Sequence, residues 1–142
     1  MKQLLLLALL PALLLTACDK EKIIDTEDLP ADVRGYVQTH YGSVAIRQAV
    51  KERDDLKISY YVYLENGTKL TFARNGDIKE IEGTTPIPDS ALPILIVSYV
   101  SANYPGAFIK EWEIDDATQD VELSNNVKLE FDRHGNFLRI DN

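Results

Sequence analysis

The stretch Ile58–Gly76, ISYYVYLENGTKLTFARNG, decides the fold. Ile58, Tyr60, Val62 and Leu64 alternate with Ser59, Tyr61 and Tyr63, the period of two that sends neighbouring side chains to opposite faces of a strand. Asn66-Gly67 supplies the left-handed conformations that a tight hairpin turn needs. Leu70 and Phe72 then alternate with Lys69 and Thr71, and Asn75-Gly76 signals a second turn. By that alternation Tyr61, Tyr63, Lys69 and Thr71 share the face opposite the core. Tyrosine offers a large contact area with little rotamer freedom to lose, which makes these four the candidate binding residues. The plainer alternative is that cross-strand tyrosines simply stabilise an exposed sheet.

Working outward, the chain matches itself. A shift of 63 carries Leu29-Pro30 onto Leu92-Pro93, Tyr36-Val37 onto Tyr99-Val100 and Ile46 onto Ile109. After a four-residue gap the shift becomes 59, carrying Val62 to Val121, Lys69-Leu70 to Lys128-Leu129, Phe72 to Phe131 and Ile81 to Ile140. The reading is two copies of one unit, residues 29–83 and 92–142, joined by a proline-rich linker over 84–91. Each unit opens at helical spacing, with Gly42 stopping the first helix and Pro105-Gly106 the second. Strands follow, the first ones expected over 45–51 and 108–114. The fold class expected is α+β: two tandem helix-plus-antiparallel-sheet repeats, their strands in one twisted sheet or in two joined sheets, helices packed on one sheet face and the other face open to solvent. Where the first helix has Ala31, Asp32 and Arg34, the second has Ile94, Leu95 and Val97. Being apolar nearly all round, the second helix is expected between the sheet and its partner helix, or against a binding partner.

The N-terminus reads as a precursor. Lys2, an apolar run over 4–15 and then Leu15-Thr16-Ala17-Cys18 form a signal peptide over 1–17, its apolar core short of the roughly 20 residues that span a bilayer. Leu15-x-Ala17-Cys18 resembles the lipobox of bacterial lipoproteins, so Cys18 is the expected lipidation site and the lipid the expected contact with the membrane. Residues 18–28, opening Asp19-Lys20-Glu21-Lys22 after the cysteine, are expected to be a solvated tether. The location expected is the cell envelope, with the outer membrane or cell surface favoured over the inner membrane.

The chain carries 15 Lys and Arg against 23 Asp and Glu, a net charge of −8. Removing residues 1–17 takes away one positive charge, Lys2, and leaves −9. Such acidity excludes nucleic acid, whose phosphates need clustered Lys and Arg. Cys18 is the only cysteine, so no intramolecular disulfide can form.

Candidates for chemistry fall to structural duty. The two histidines, His40 and His134, match Asn103 and Asn75 under the same shifts, and no second ligand stands at a metal-site spacing. No Gly-x-Ser-x-Gly elbow is present. Glu111, Glu113, Asp115, Asp116 and Asp120 lack the alternating order of a calcium loop and read as a solvated hairpin turn. No catalytic residue, metal site or cofactor is expected, and the chain reads as no enzyme.

The segments LPADVRGYVQTHYG, YYVYLENGTKLTFARNGDIKEI and LPILIVSYVSANYPGAFIKEWEI, with VELSNNVKLEFDRHGNFLRI, resemble the PepSY-like, β-lactamase-inhibitor-like family of bacterial lipoproteins. The resemblance implies a helix-plus-sheet fold and a binding or inhibitory role outside the cytoplasm. Secreted β-lactamase inhibitors carry disulfides and this domain has none, so that likeness is architectural. The expected function is a non-enzymatic, lipid-anchored envelope module for a protein or peptide partner; the alternative is an inhibitor of an envelope or secreted peptidase or other hydrolase.

Overall fold

The computed structural model of the chain describes residues 20–141. The signal peptide and the Cys18 lipidation site lie outside the described residues. Nine strands form one antiparallel sheet in chain order: β1 (Glu21–Ile24), β2 (Ile46–Asp54), β3 (Lys57–Leu64), β4 (Lys69–Ala73), β5 (Ile78–Glu82), β6 (Ile109–Ile114), β7 (Thr118–Leu123), β8 (Lys128–Asp132) and β9 (Phe137–Asp141). Two helices complete it, α1 (Ala31–Tyr41) between β1 and β2 and α2 (Ile94–Asn103) between β5 and β6.

Both helices start directly after a proline that has no N–H to lose. The Pro30 carbonyl accepts from the Arg34 N–H (3.1 Å) and the Pro93 carbonyl from the Val97 N–H (3.2 Å). Val33 and Val37 of α1, with Ile96 and Val100 of α2, enter one core cluster with Val62, Leu64, Leu70, Phe72, Ile81, Trp112, Val121, Leu129 and Phe131. Tyr36 meets Phe72 edge-on at 5.4 Å, and Tyr99 meets Phe131 in the same way at 5.4 Å. Such pairs add specific geometry to the area they bury. Both helices therefore cover the sheet face that carries the alternate apolar residues.

This architecture corrects the expected fold class. Among the described residues one nine-stranded antiparallel sheet dominates, with two α-helices, rather than two tandem helix-plus-sheet repeats. The joint is the pairing of β5 with β6, Ile81 opposite Trp112. Two separate sheets would leave both strand edges unpaired and Ile81 and Trp112 against water; merged, both residues are buried. The linker is drawn in as well, with Ile87 and Ala91 buried in the shared core.

Two further expectations change. The charged segment read as tether contributes β1, which pairs with β2 in the register Ile23 opposite Val50 and Ile24 opposite Ala49. Its ladder extends through the Arg53 N–H to the Lys20 carbonyl, 2.7 Å, and the Lys20–Asp54 ion pair, 2.8 Å. Four residues are too few for periodicity to declare a strand, which is why charge misled there. The second helix is not buried all round: Ile94 is 73% and Leu95 49% exposed, because α2 turns Ile96 and Val100 into the core, with Val97 and Tyr99 packed beside them.

Candidate functional site

The face of the sheet opposite the helices carries the candidate site. Antiparallel register sets its residues in two transverse rows. One runs Val50, Tyr61, Thr71, Glu80, Glu113, Asp120, Glu130, Arg139 from β2 to β9. The other runs Gln48, Tyr63, Lys69, Glu82, Glu111, Glu122, Lys128, Asp141. Tyr61, Tyr63, Lys69 and Thr71 thus lie together, Tyr61 opposite Thr71 and Tyr63 opposite Lys69. All four side chains are half-buried.

This tyrosine corner is tied into its surroundings. The Tyr61 hydroxyl donates to Glu52, and that bond, with some burial, pushes the phenol up to about 12. Lys69 Nζ lies 5.6 Å from the centre of the Tyr61 ring, within cation–π range. The same ammonium pairs with Glu82 at 2.6 Å and Glu80 at 3.6 Å, and Thr71 Oγ1 donates to Glu80 at 2.9 Å. These contacts fix the Tyr61 ring on a floor of paired strands, with Tyr63 beside it opposite Lys69.

Beyond Lys69 the face changes character. Five cross-strand pairs set acid directly opposite acid: Glu80–Glu113, Glu82–Glu111, Glu111–Glu122, Glu113–Asp120 and Asp120–Glu130. Like charges so placed destabilise a sheet. Cations relieve the rim. Lys110 pairs with Glu122 at 2.8 Å, Lys128 with Glu122 at 3.6 Å and Arg139 with Glu130 at 2.7 Å. Glu122 is held below the usual carboxylate range, chiefly by its bond from Lys110.

The middle of the field has no such relief. Among the described residues Glu111, Glu113 and Asp120 form no ion pair, and all three are pushed up by partial burial and by neighbouring carboxylates. For Glu111 the principal neighbour is Glu122, for Glu113 it is Glu80 and for Asp120 it is Glu130. A shallow depression of about 210 Å³ sits here, walled by these carboxylates and Lys128.

The carboxylates grouped as one turn in the sequence therefore separate. Asp115 is a turn residue, its Oδ1 accepting from the Ala117 and Thr118 N–H groups at 2.7 Å each. Glu111, Glu113 and Asp120 stand on the sheet face. Glu80, Glu82, Glu122 and Glu130 escaped notice, although the period-two pattern of Ile78–Glu82 and Lys128–Asp132 carries the signal. His40 Nδ1 lies 2.9 Å from Ser90 Oγ, on the helix side and far from the field. His134 occupies the β8–β9 turn, its N–H donating to Asp132 Oδ1 at 2.9 Å. Among the described residues no three His, Cys, Asp or Glu side chains converge as a metal site.

Comparison with known proteins adds context to this geometry. A family model described as "Putative beta-lactamase-inhibitor-like, PepSY-like" matches residues 58–139. A "putative calcium-regulated periplasmic protein" of Bacteroides thetaiotaomicron superposes with a TM-score of 0.83 at 33% identity, over 87% of this chain and 98% of that one. A "putative periplasmic protein" of Bacteroides vulgatus gives 0.82 at 32% identity, over 88% and 99%. A second B. vulgatus periplasmic protein, of unknown function, gives 0.79 at 26% identity, over 86% and 99%. No curated protein sequence matched.

Proposed function

The chain belongs to the PepSY-like, β-lactamase-inhibitor-like family, and from that premise we propose that it is a non-enzymatic binding module of the cell envelope. Its open sheet face receives a protein or peptide partner. The observation that carries this reading is the uncovered face itself, where Tyr61 and Tyr63 stand on a paired-strand floor and the same two rows lead, across Thr71, Lys69, Glu80 and Glu82, to the Glu111, Glu113 and Asp120 field. Rigid aromatic side chains supply contact area, and an uncompensated negative field selects and steers cationic groups. The location agrees with the periplasmic relatives. Lipidation of Cys18 would hold the module to its membrane, on the outer membrane or cell surface; a Cys18→Ala chain that still sediments with membranes overturns that anchor.

Pull-down from envelope extracts tests the face. Wild type, Tyr61→Ala/Tyr63→Ala and Glu111→Gln/Glu113→Gln/Asp120→Asn are compared, and the partner is expected to drop out of both variants. Identical partner sets for all three end the proposal. The family description favours a second reading, inhibition of an envelope or secreted hydrolase: a captured hydrolase that loses activity on binding, and regains it with the tyrosine variant, would establish it. Calcium regulation belongs to the B. thetaiotaomicron relative by its description. The carboxylates here are spread at strand spacing rather than converged, so they do not fit a calcium centre and the reading gives calcium no part.

A further inference from the structure

β5 and β9 hold matching places. Each is the fourth strand after a helix, and a shift of 59 carries Ile81 to Ile140. The turns before them share one backbone shape, the Ala73 N–H donating to the Asp77 carbonyl (2.9 Å) and the Asp132 N–H to the Asn136 carbonyl (2.8 Å). Gly76 and Gly135 take the same left-handed conformation, φ 89° and 91°. Each strand also bulges one residue after its first pair, at Lys79 and at Leu138.

What differs is the far side. The outer edge of β5 is filled by β6, with Ile81 opposite Trp112, Glu80 opposite Glu113 and the Gly83 N–H donating to the Lys110 carbonyl at 3.0 Å. Among the described residues the outer edge of β9 pairs with nothing. Its Phe137, Leu138 and Ile140 are 36%, 50% and 49% exposed, whereas Ile81 is fully buried. Arg139, Asp141 and the Leu138 bulge are features that blunt an edge, but β5 carries the same bulge with a lysine and two acids and pairs with β6 all the same. The opposite edge, β1, is short and begins Glu21-Lys22.

We propose that the outer edge of β9 is a second docking site, which adds an extended segment of a partner protein as a tenth, antiparallel strand. Main-chain bonds would supply affinity and alternate side chains the selection. β6 on β5 is the internal precedent for the geometry, and charge sets the sequence. Arg139 stands where β5 has Glu80, so the acid that meets a like charge as Glu113 would meet an opposite one on β9. Asp141 stands where β5 has Glu82. The segment that fits reads basic, large apolar, acidic from N- to C-terminus, facing Asp141, Ile140 and Arg139 in turn.

Fluorescence anisotropy with the full chain in detergent tests this. The probe is a labelled peptide of residues 108–115 carrying Glu111→Lys; the control probe keeps Glu111 and carries Glu113→Lys. Wild type is expected to bind the first about fivefold more tightly than the control. Arg139→Glu should remove or invert that preference, and Ile140→Asp, at an exposed position, should weaken both probes with the thermal midpoint retained. Equal affinities in wild type, or no saturation at about 1 mM probe, would overturn the proposal. A concentration-dependent dimer in size-exclusion chromatography that Arg139→Glu or Ile140→Asp dissolves would also overturn it, by giving the edge to a second copy. Loss of the sheet-face partner in pull-downs leaves this result untouched, since five strands separate Tyr61 and Tyr63 from β9.

Discussion

The two halves of the sheet, β2–β5 and β6–β9, share their inside and differ in their outside. At the shift of 59, Val62, Leu64, Leu70 and Phe72 correspond to Val121, Leu123, Leu129 and Phe131, and all eight are buried. On the open face Tyr61 corresponds to Asp120, Tyr63 to Glu122, Thr71 to Glu130 and Glu80 to Arg139. Packing at near-crystal density permits little change inside, whereas the uncovered face answers only to water and to partners. The aromatic corner and the acid field are two specialisations of one scaffold position.

If the inside is truly shared, its largest side chains should matter equally. Phe72 and Phe131 are both fully buried, each against a tyrosine of its own helix. Phe72→Ala and Phe131→Ala should each cost about 3–5 kcal/mol in urea denaturation. Because one core cluster spans both halves, each variant should still unfold in a single transition. Two transitions, or a cost below about 1 kcal/mol for one of them, would break the equivalence.

A compensated difference inside the core sharpens the comparison. The first half places Ala49 and Tyr60 on diagonal positions of β2 and β3; the second places Trp112 and Gln119 there. Large and small exchange sides. In the second half Trp112 Nε1–H donates to Gln119 Oε1 at 3.0 Å, and Gln119 Nε2–H bonds the Asp132 and Arg133 carbonyls at 3.1 and 3.2 Å. Gln119→Leu leaves the buried Trp112 N–H without its partner and should cost about 1–3 kcal/mol. Trp112→Ala with Gln119→Tyr, which copies the first half, should be more stable than Trp112→Ala alone. If it is not, the two halves fill this slot in unrelated ways.

That slot also marks where sequence reading stops. Period-two alternation located β3, β4 and the β8 strand, and Asn66-Gly67 and Asn75-Gly76 located their turns, because those signals are local. The joining of β5 to β6 is not local: the proline-rich stretch between them reads as a break, and only the gain from burying Ile81 against Trp112 shows why the chain closes across it. Tyr61, Tyr63, Lys69 and Thr71 were legible as one group because a single hairpin holds them. The acid field was not, since Glu82, Glu111 and Glu122 come from three strands whose neighbourhood is set by that same junction. A tether with a strand inside it, β1, escaped because four residues carry no period.

The acid field should reveal itself through pH. Glu113 and Asp120 have folded-state pKa values above their unfolded ones, owing first to partial burial and then to neighbouring carboxylates. The folded chain therefore takes up these protons first as pH falls. Their destabilising effect is full above the folded pKa and fades as pH drops through it towards the ordinary carboxylate range. Glu113→Gln or Asp120→Asn should stabilise the chain at pH 7 by about 0.5 kcal/mol, read as a higher thermal midpoint, and the gain should vanish at acid pH. Turn carboxylates of the other sign, Asp115 and Asp132, are lowered by N–H bonds. Asp132→Ala should therefore lose stability at pH 7 and converge with wild type in acid. A gain from Asp120→Asn independent of pH would locate its cause outside charge.

The smallest effect concerns the helices. α1 starts Ala31-Asp32 and α2 starts Ile94-Leu95, so the second half carries apolar side chains where the first carries polar ones. Ile94 is 73% exposed, and removing so little buried surface cannot cost much: Ile94→Asp should change stability by no more than about 0.5 kcal/mol. Two residues on, Ile96 is fully buried, and Ile96→Asp would strand a carboxylate in the core and prevent folding. The pair separates a helix held by one narrow stripe from one held by its general greasiness. If Ile94→Asp were as damaging as Ile96→Asp, α2 would be gripped on both faces, and the surface beside β9 would have to be covered in solution.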